Sequence, residues 1–295
     1  MIGVVNLDKP VGPTSHDMVG LLRRITGTRR IGHAGTLDPL ASGVLPILIG
    51  AATRFSEELT GGDKAYRAVI RLGFRSATDD AQGPLTPGGP LPSDAQVTEG
   101  VARFVGTIAQ RPPAFSARKQ DGQVAHRAAR AGRPMELSAR EVSVTAIDLI
   151  GLERTSAFLD VEVAISCGPG TYIRSIARDL GELLGSGGYL ASLRRTRAAG
   201  LDIASAVTPD ELLAMATAGH LADAILPLAP LVRLPHLTLA GDDLQHFVHG
   251  RPVHLNTPAT DGRHLVLDGS TLIGIGTLRG GMLQPDKVLP PEASA

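Results

Sequence analysis

Between residues 32 and 46 the chain reads Gly-His-Ala-Gly-Thr-Leu-Asp-Pro-Leu-Ala-Ser-Gly-Val-Leu-Pro, setting one carboxylate, Asp38, among three glycines, two prolines and small apolar residues. Glycine tolerates positive φ and close backbone approach, and the following proline biases Asp38 towards an extended conformation. Such a loop, expected between two apolar-helical stretches, leaves the carboxylate open to a large ligand. A carboxylate so placed can act as nucleophile or general base; Asp-Pro is equally ordinary turn chemistry. The spacing fits neither the GxxxxGK[ST] phosphate loop nor the GxGxxG dinucleotide turn. His33 is available as an acid–base group, a metal ligand or a packing residue. No His or Cys stands near it at ligand spacing, so no metal is expected. Hydrolysis by His33 and Asp38 would need a second carboxylate or a ligand set, and the sequence offers no convincing one.

Four segments, in order, carry a resemblance: Leu7-Asp8-Lys9-Pro10-Val11-Gly12-Pro13-Thr14-Ser15, the Asp38 stretch, Asp63-Lys64-Ala65-Tyr66-Arg67-Ala68, and Gly170-Thr171-Tyr172-Ile173-Arg174-Ser175-Ile176-Ala177-Arg178-Asp179-Leu180. Together they resemble the TruB family of tRNA pseudouridine synthases, over residues 2 to about 200. The resemblance implies that Asp38 is the catalytic carboxylate and that Arg174 pairs with it, keeping it ionised and oriented. It implies that Tyr66 stacks on the target uracil and is a candidate for removing the proton from carbon 5. His33 would stack in the RNA and help hold the target nucleotide flipped out, as base-modifying enzymes require. Lys9 and Pro10 would pack near the active site, and Leu193 would line the uracil pocket. A thumb insertion, about residues 109–140, would clamp the RNA hairpin through Arg118, Lys119 and Arg130. His126 stands where the family pattern usually has a tyrosine.

The implied substrate is uridine 55 in the TΨC arm of tRNA, a loop whose bases can be splayed out. No metal, cofactor or obligatory protein partner is implied, and a monomer is expected. The competing reading is an RNA-binding protein or tRNA chaperone, whose binding would survive loss of Asp38.

Composition agrees with a folded protein and leaves no cysteine-based zinc site. The 295 residues are 43% hydrophobic and 20% charged, with one cysteine, Cys167, so no intramolecular disulfide can form. No run of 18 apolar residues occurs and no signal region opens the chain, so a cytoplasmic protein without membrane spans is expected. Net charge is zero, but basic residues cluster: Arg23, Arg24, Arg29 and Arg30; Arg111 to Arg133; and Arg194, Arg195 and Arg197. Local patches such as these supply phosphate binding.

The elements that must position these residues follow from periodicity. Residues 2–6 read as a strand and Ser15 as the cap of a helix through Thr26. Residues 64–73 alternate, with Tyr66, Ala68, Ile70 and Leu72 on one face. Residues 76–92 read as a loop, followed by a helix capped by Ser93. Two strands, 141–153 and 157–167, precede a helix capped by Thr171 and carrying Arg174 slightly off its apolar stripe. Residues 189–197 read as a strand and 209–217 as a helix. The fold class expected is α+β: a pseudouridine synthase catalytic domain over residues 1–230, with a central mixed, largely antiparallel sheet. A small β-rich PUA-like domain over 236–291 would follow, with a helix near 240–248, a hairpin turning at Asp268-Gly269, and a small barrel.

Overall fold

The structure, a computed structural model, describes residues 1–116, 119–120, 123–124, 128, 133, 135, 137–256 and 258–289. The first elements are β1 (Gly3–Lys9), α1 (Ser15–Thr26), β2 (Ile31–His33), β3 (Ala41–Ile49) and α2 (Ser56–Thr60). Next come β4 (Lys64–Leu72), β5 (Phe74–Ser76), β6 (Leu85–Pro87), α3 (Asp94–Ala102) and β7 (Gly106–Gln110). The two-residue strands β8 (Lys119–Gln120) and β9 (Gln123–Val124) precede β10 (Arg140–Arg154), β11 (Leu159–Cys167) and α4 (Ile173–Leu183). β12 (Gly188–Ala198), β13 (Leu201–Asp202) and α5 (Pro209–Thr217) close the larger part. The remainder holds β14 (His236–Thr238), α6 (Gly241–Val248), β15 (Val253–His254), β16 (Gly262–Asp268), β17 (Thr271–Arg279) and β18 (Met282–Val288).

The central sheet runs β1-β3-β12-β4-β11-β10-β7, with β2 added to β3 and β13 to β12. Only the β12–β3 pairing in it is parallel, so the sheet is mixed and largely antiparallel. Helices α1 and α5 bring Met18, Val19, Leu22 and Leu212 against β1 and β3. Helices α3 and α4 pack Val97, Val101, Ile176 and Leu180 against β4, β10 and β11. Each such side chain, fully buried, contributes about 1.5–3 kcal/mol of transfer free energy. The alternation expected in β4 is present: Tyr66, Ala68, Ile70 and Leu72 are all buried.

The C-terminal strands form the β-rich unit expected, a five-stranded sheet in the order β14-β16-β17-β18-β15. Its inner face does not stand apart. Leu265, Leu267, Leu272 and Ile275 share one core with Val4, Leu48, Phe55 and Leu59 of the larger part. No helix among the described residues is long and apolar enough to cross a membrane.

Three local expectations change. The Asp38 loop is followed by strand β3, not a helix, because Ala41–Ile49 is almost wholly buried between β1 and β12. Thr14, not Ser15, caps α1 through a capping box with Asp17, which frees the Ser15 hydroxyl for the Asp38 loop. Thr171 does not cap α4; its hydroxyl donates to the Gly168 carbonyl, and Tyr172 stands at the N-cap without a side-chain bond.

Candidate active site

Asp38 occupies the turn between β2 and β3, and that turn is pinned from several sides. The buried Ser15 hydroxyl donates to the Leu37 carbonyl (3.0 Å) and accepts from the Leu37 amide (2.9 Å). The Gly12 amide donates to the Pro39 carbonyl at 2.8 Å, tying the Lys9-Pro10 loop to the turn. Lys9 itself ends β1 and is fully buried. Its amine donates to the Pro10 and Pro13 carbonyls at 2.8 and 2.7 Å, closing its own loop. Burial lowers its pKa to about 8, against the opposing pull of the Asp38 charge. Pro10 is exposed and offers its carbonyl to that amine.

Arg174 enters from α4, where it is 5% exposed rather than a surface residue. Its Nη2 lies 2.9 Å from Asp38 Oδ2, and its Nη1 lies 3.5 Å from Asp80 Oδ2. The same guanidinium donates to the carbonyls of Thr78 (3.3 Å) and Phe115 (3.0 Å). Planar, permanently charged donors suit two carboxylates at once. Burial raises the Asp38 pKa above its ordinary value; Arg174 opposes this and Asp80 adds to it. Arg174 therefore orients the carboxylate and limits the rise without reversing it.

Tyr66 completes the floor. It lies on β4, buried, and within electrostatic reach of Asp38. Its cross-strand partner on β12 is Arg195, which in turn pairs with Gly43 on β3. The strands run so close there that a Cβ at Gly43, where φ is +103°, would stand 2.2 Å from the Arg195 carbonyl oxygen. Glycine is required on both counts. Leu193 lies two residues before Arg195, paired with Ala41 and Ala68, and so lies between β3, which follows the Asp38 turn, and β4, which carries Tyr66. His33 is half-buried on β2. Burial lowers its pKa, with Arg195 adding to the effect, and its Nδ1 has no partner among the described residues.

Asp38, Arg174, Tyr66 and Lys9 thus lie within reach of one another, with Pro10 exposed on the Lys9 loop, Leu193 between β3 and β4, and His33 on β2 opposite Ile47 of β3. Arg118 and Arg130, with His126, fall outside the described residues, and Lys119 is placed on β8. No group of three His, Cys, Asp or Glu among the described residues is arranged to hold a metal.

Known proteins are similar to this chain in sequence and in fold. Residues 23–173 match the TruB family pseudouridylate synthase N-terminal domain, and residues 174–233 match the tRNA pseudouridylate synthase B C-terminal domain. The chain belongs to the TruB family. It is 39% identical to the tRNA pseudouridine synthase B of Ralstonia nicotianae, covering 97% of this chain and 94% of that one. Against the enzyme of the same name from Thermobifida fusca the identity is 46%, over 90% of this chain and 93% of the relative. Among solved structures, a chain of a Cbf5-Nop10-Gar1 complex is similar with a TM-score of 0.75 and 27% identity, covering 99% of this chain and 86% of that one.

Two residues at the family site escape sequence reasoning. Asp80 lies in the Gly/Pro/Asp-rich stretch read as a loop, part of which forms β5 and β6. It is 4% exposed, and its Oδ1 accepts from the Thr78 hydroxyl and the Gln82 amide. Here is the second carboxylate that the sequence does not reveal, and Arg174 stands between it and Asp38. The expected phosphate-binding patch of Arg194, Arg195 and Arg197 is corrected by the structure. Arg195 is 1% exposed, and Arg194 forms a two-point pair with Asp8 at 2.6 and 3.2 Å, leaving Arg197 exposed. A signal for Arg195 exists in the chain: it shares the strand face of Leu193.

Proposed function

We propose that this chain isomerises uridine 55 in the TΨC arm of tRNA to pseudouridine, without metal or cofactor. The observation that carries the reading is the Asp38 carboxylate held 2.9 Å from Arg174, beside a buried Tyr66, in a chain of the TruB family. The reaction breaks the bond between uracil nitrogen 1 and the sugar, turns the base, and joins carbon 5 to the sugar. Carbon 5 loses a proton and nitrogen 1 gains one, so no outside reagent is consumed.

In this reading Asp38 is the catalytic carboxylate, and Arg174 holds it ionised in one orientation. Tyr66 stacks on the flipped uracil, while Leu193 and the apolar floor keep water from the detached base. His33, neutral at neutral pH through its lowered pKa, presents an uncharged ring for stacking in the RNA. Lys9 and Pro10 support the Asp38 turn from beneath. Arg118, Lys119 and Arg130 bind phosphates of the hairpin, residues 1–230 form the catalytic domain, and the 236–291 segment is a PUA-like contact to the tRNA. The protein acts as a monomer in the cytoplasm.

The test incubates the purified protein, free of added metal, with an unmodified tRNA transcript and with a copy carrying cytidine at position 55. Pseudouridine is mapped by carbodiimide labelling and primer extension. One new stop reporting position 55, absent from the cytidine copy, supports the reading. Tight tRNA binding without any pseudouridine would replace it with an RNA-binding role.

A further inference from the structure

We propose that Arg195 is a positioning residue for the reaction, fixing the Tyr66 hydroxyl and the Asp38 turn as one unit. The inference rests on the role proposed above for Tyr66. Arg195 is a buried cation, and among the described residues no carboxylate is paired with it. Removing a guanidinium from water without a counter-charge is costly, and such groups persist where their hydrogen bonds are needed.

Those bonds go to two pieces of the site, and a third group of the site faces it across the sheet. Nε donates to the Val44 carbonyl on β3 at 2.7 Å. Nη2 donates to the Gly35 carbonyl at 3.0 Å, three residues before Asp38. The Tyr66 phenol lies directly across the β12–β4 pairing, within electrostatic reach of the guanidinium. Arginine has donors and no acceptor, so in this pairing the phenol oxygen accepts and its own proton points away from the guanidinium, the arrangement the proposal requires. One rigid group therefore sets the direction of the Tyr66 hydroxyl and the distance of the Asp38 turn from it. The adjacent cation also favours the phenolate against burial, which pushes Tyr66 up from its ordinary value.

The experiment is a double-mutant cycle on full-length protein, using Arg195→Lys and Tyr66→Phe, read by single-turnover pseudouridine formation. Thermal unfolding and tRNA affinity are measured on every variant. Arg195→Lys keeps the charge while losing the fork; Arg195→Met, where it folds, removes both. Arg195→Lys is expected to slow the wild-type background roughly ten- to hundredfold, the factor carried by one charge-assisted hydrogen bond. In the Tyr66→Phe background the same change is expected to cost at least about threefold less, the remaining loss reporting the bonds to Gly35 and Val44, with tRNA affinity unchanged. The chain has only three tyrosines, so ring-carbon NMR can follow the Tyr66 phenol directly. Its titration is expected at higher pH in Arg195→Met, which removes the cation.

Equal rate losses in both backgrounds, or an unmoved Tyr66 titration, would overturn the inference. So would full activity of Tyr66→Phe, which leaves stacking by the ring intact and removes any use for the hydroxyl. Failure of the functional reading looks different, because the wild-type protein itself then makes no pseudouridine.

Discussion

Arg174 stands between two carboxylates, 2.9 Å from Asp38 and 3.5 Å from Asp80, so the protonation of Asp38 is set by neighbours of opposite sign. Burial is the largest influence and raises the Asp38 pKa; Arg174 lowers it and Asp80 raises it. If the ionised form reacts, the rate falls as pH drops through a pKa above the ordinary aspartate value. Arg174→Met removes the lowering influence and shifts this acid limb to higher pH. Asp80→Asn removes a raising influence and shifts it to lower pH. Both lower the plateau, by about 100-fold or more for Arg174→Met and about tenfold for Asp80→Asn. Single-turnover pH profiles of the two variants check the opposite directions; shifts of the same sign would refute this electrostatic account.

Ser15→Ala tests how the Asp38 turn is held. The hydroxyl satisfies both the amide and the carbonyl of Leu37 in a buried setting. Its removal is expected to cost about 1–3 kcal/mol of stability. The rate is expected to fall while tRNA affinity stays within about threefold, because Leu37 precedes the carboxylate proposed to react. Denaturant melts and paired binding and turnover assays separate the two effects.

Glu58 links the two parts of the molecule. Its nearly buried carboxylate accepts from Arg263 at 2.7 Å and from Lys287 at 2.9 and 3.0 Å. Burial pushes its carboxyl up, but the bonds from Lys287 and Arg263 outweigh this, and the folded pKa lies below the ordinary glutamate value. A depressed folded pKa contributes stability above the unfolded value, lost as pH falls through the folded one. Glu58→Gln is expected to lower the unfolding midpoint at pH 7, and its gap to the wild type is expected to close in acid. A gap that persists below the folded pKa would assign the loss to packing instead.

Neutralising Arg118, Lys119 and Arg130 together is expected to weaken tRNA binding and flatten its dependence on salt. Each lost phosphate contact removes roughly 0.7–0.9 from the slope of log affinity against log salt, so the triple variant loses about 2 to 3. An unchanged slope would take these residues off the RNA surface.

Much of the site is legible in the chain because its signals are local. Alternation over 64–72 places Tyr66 on the buried face, and the Gly- and Pro-rich context marks the Asp38 turn. What escapes is set by packing between distant segments. Nothing local distinguishes Asp80 from its neighbour Asp79, and only the approach of α4 buries it against Arg174. Arg194, Arg195 and Arg197 look alike as a basic run, yet the pleat and a register shift after Arg195 send them to different surroundings. Capping of α1 escapes for a similar reason. Thr14 and Ser15 are both competent caps, and the choice falls to Thr14 because Ser15 is taken by Leu37.

The central claim is that Asp38 carries the chemistry, and Asp38→Asn tests it most directly. The substitution preserves size and removes the charge. Single-turnover formation of pseudouridine at tRNA position 55 is measured beside tRNA affinity on sequence-verified protein. The account predicts no detectable pseudouridine, with affinity within a few-fold of the wild type. Substantial turnover by the Asp38→Asn protein would contradict it.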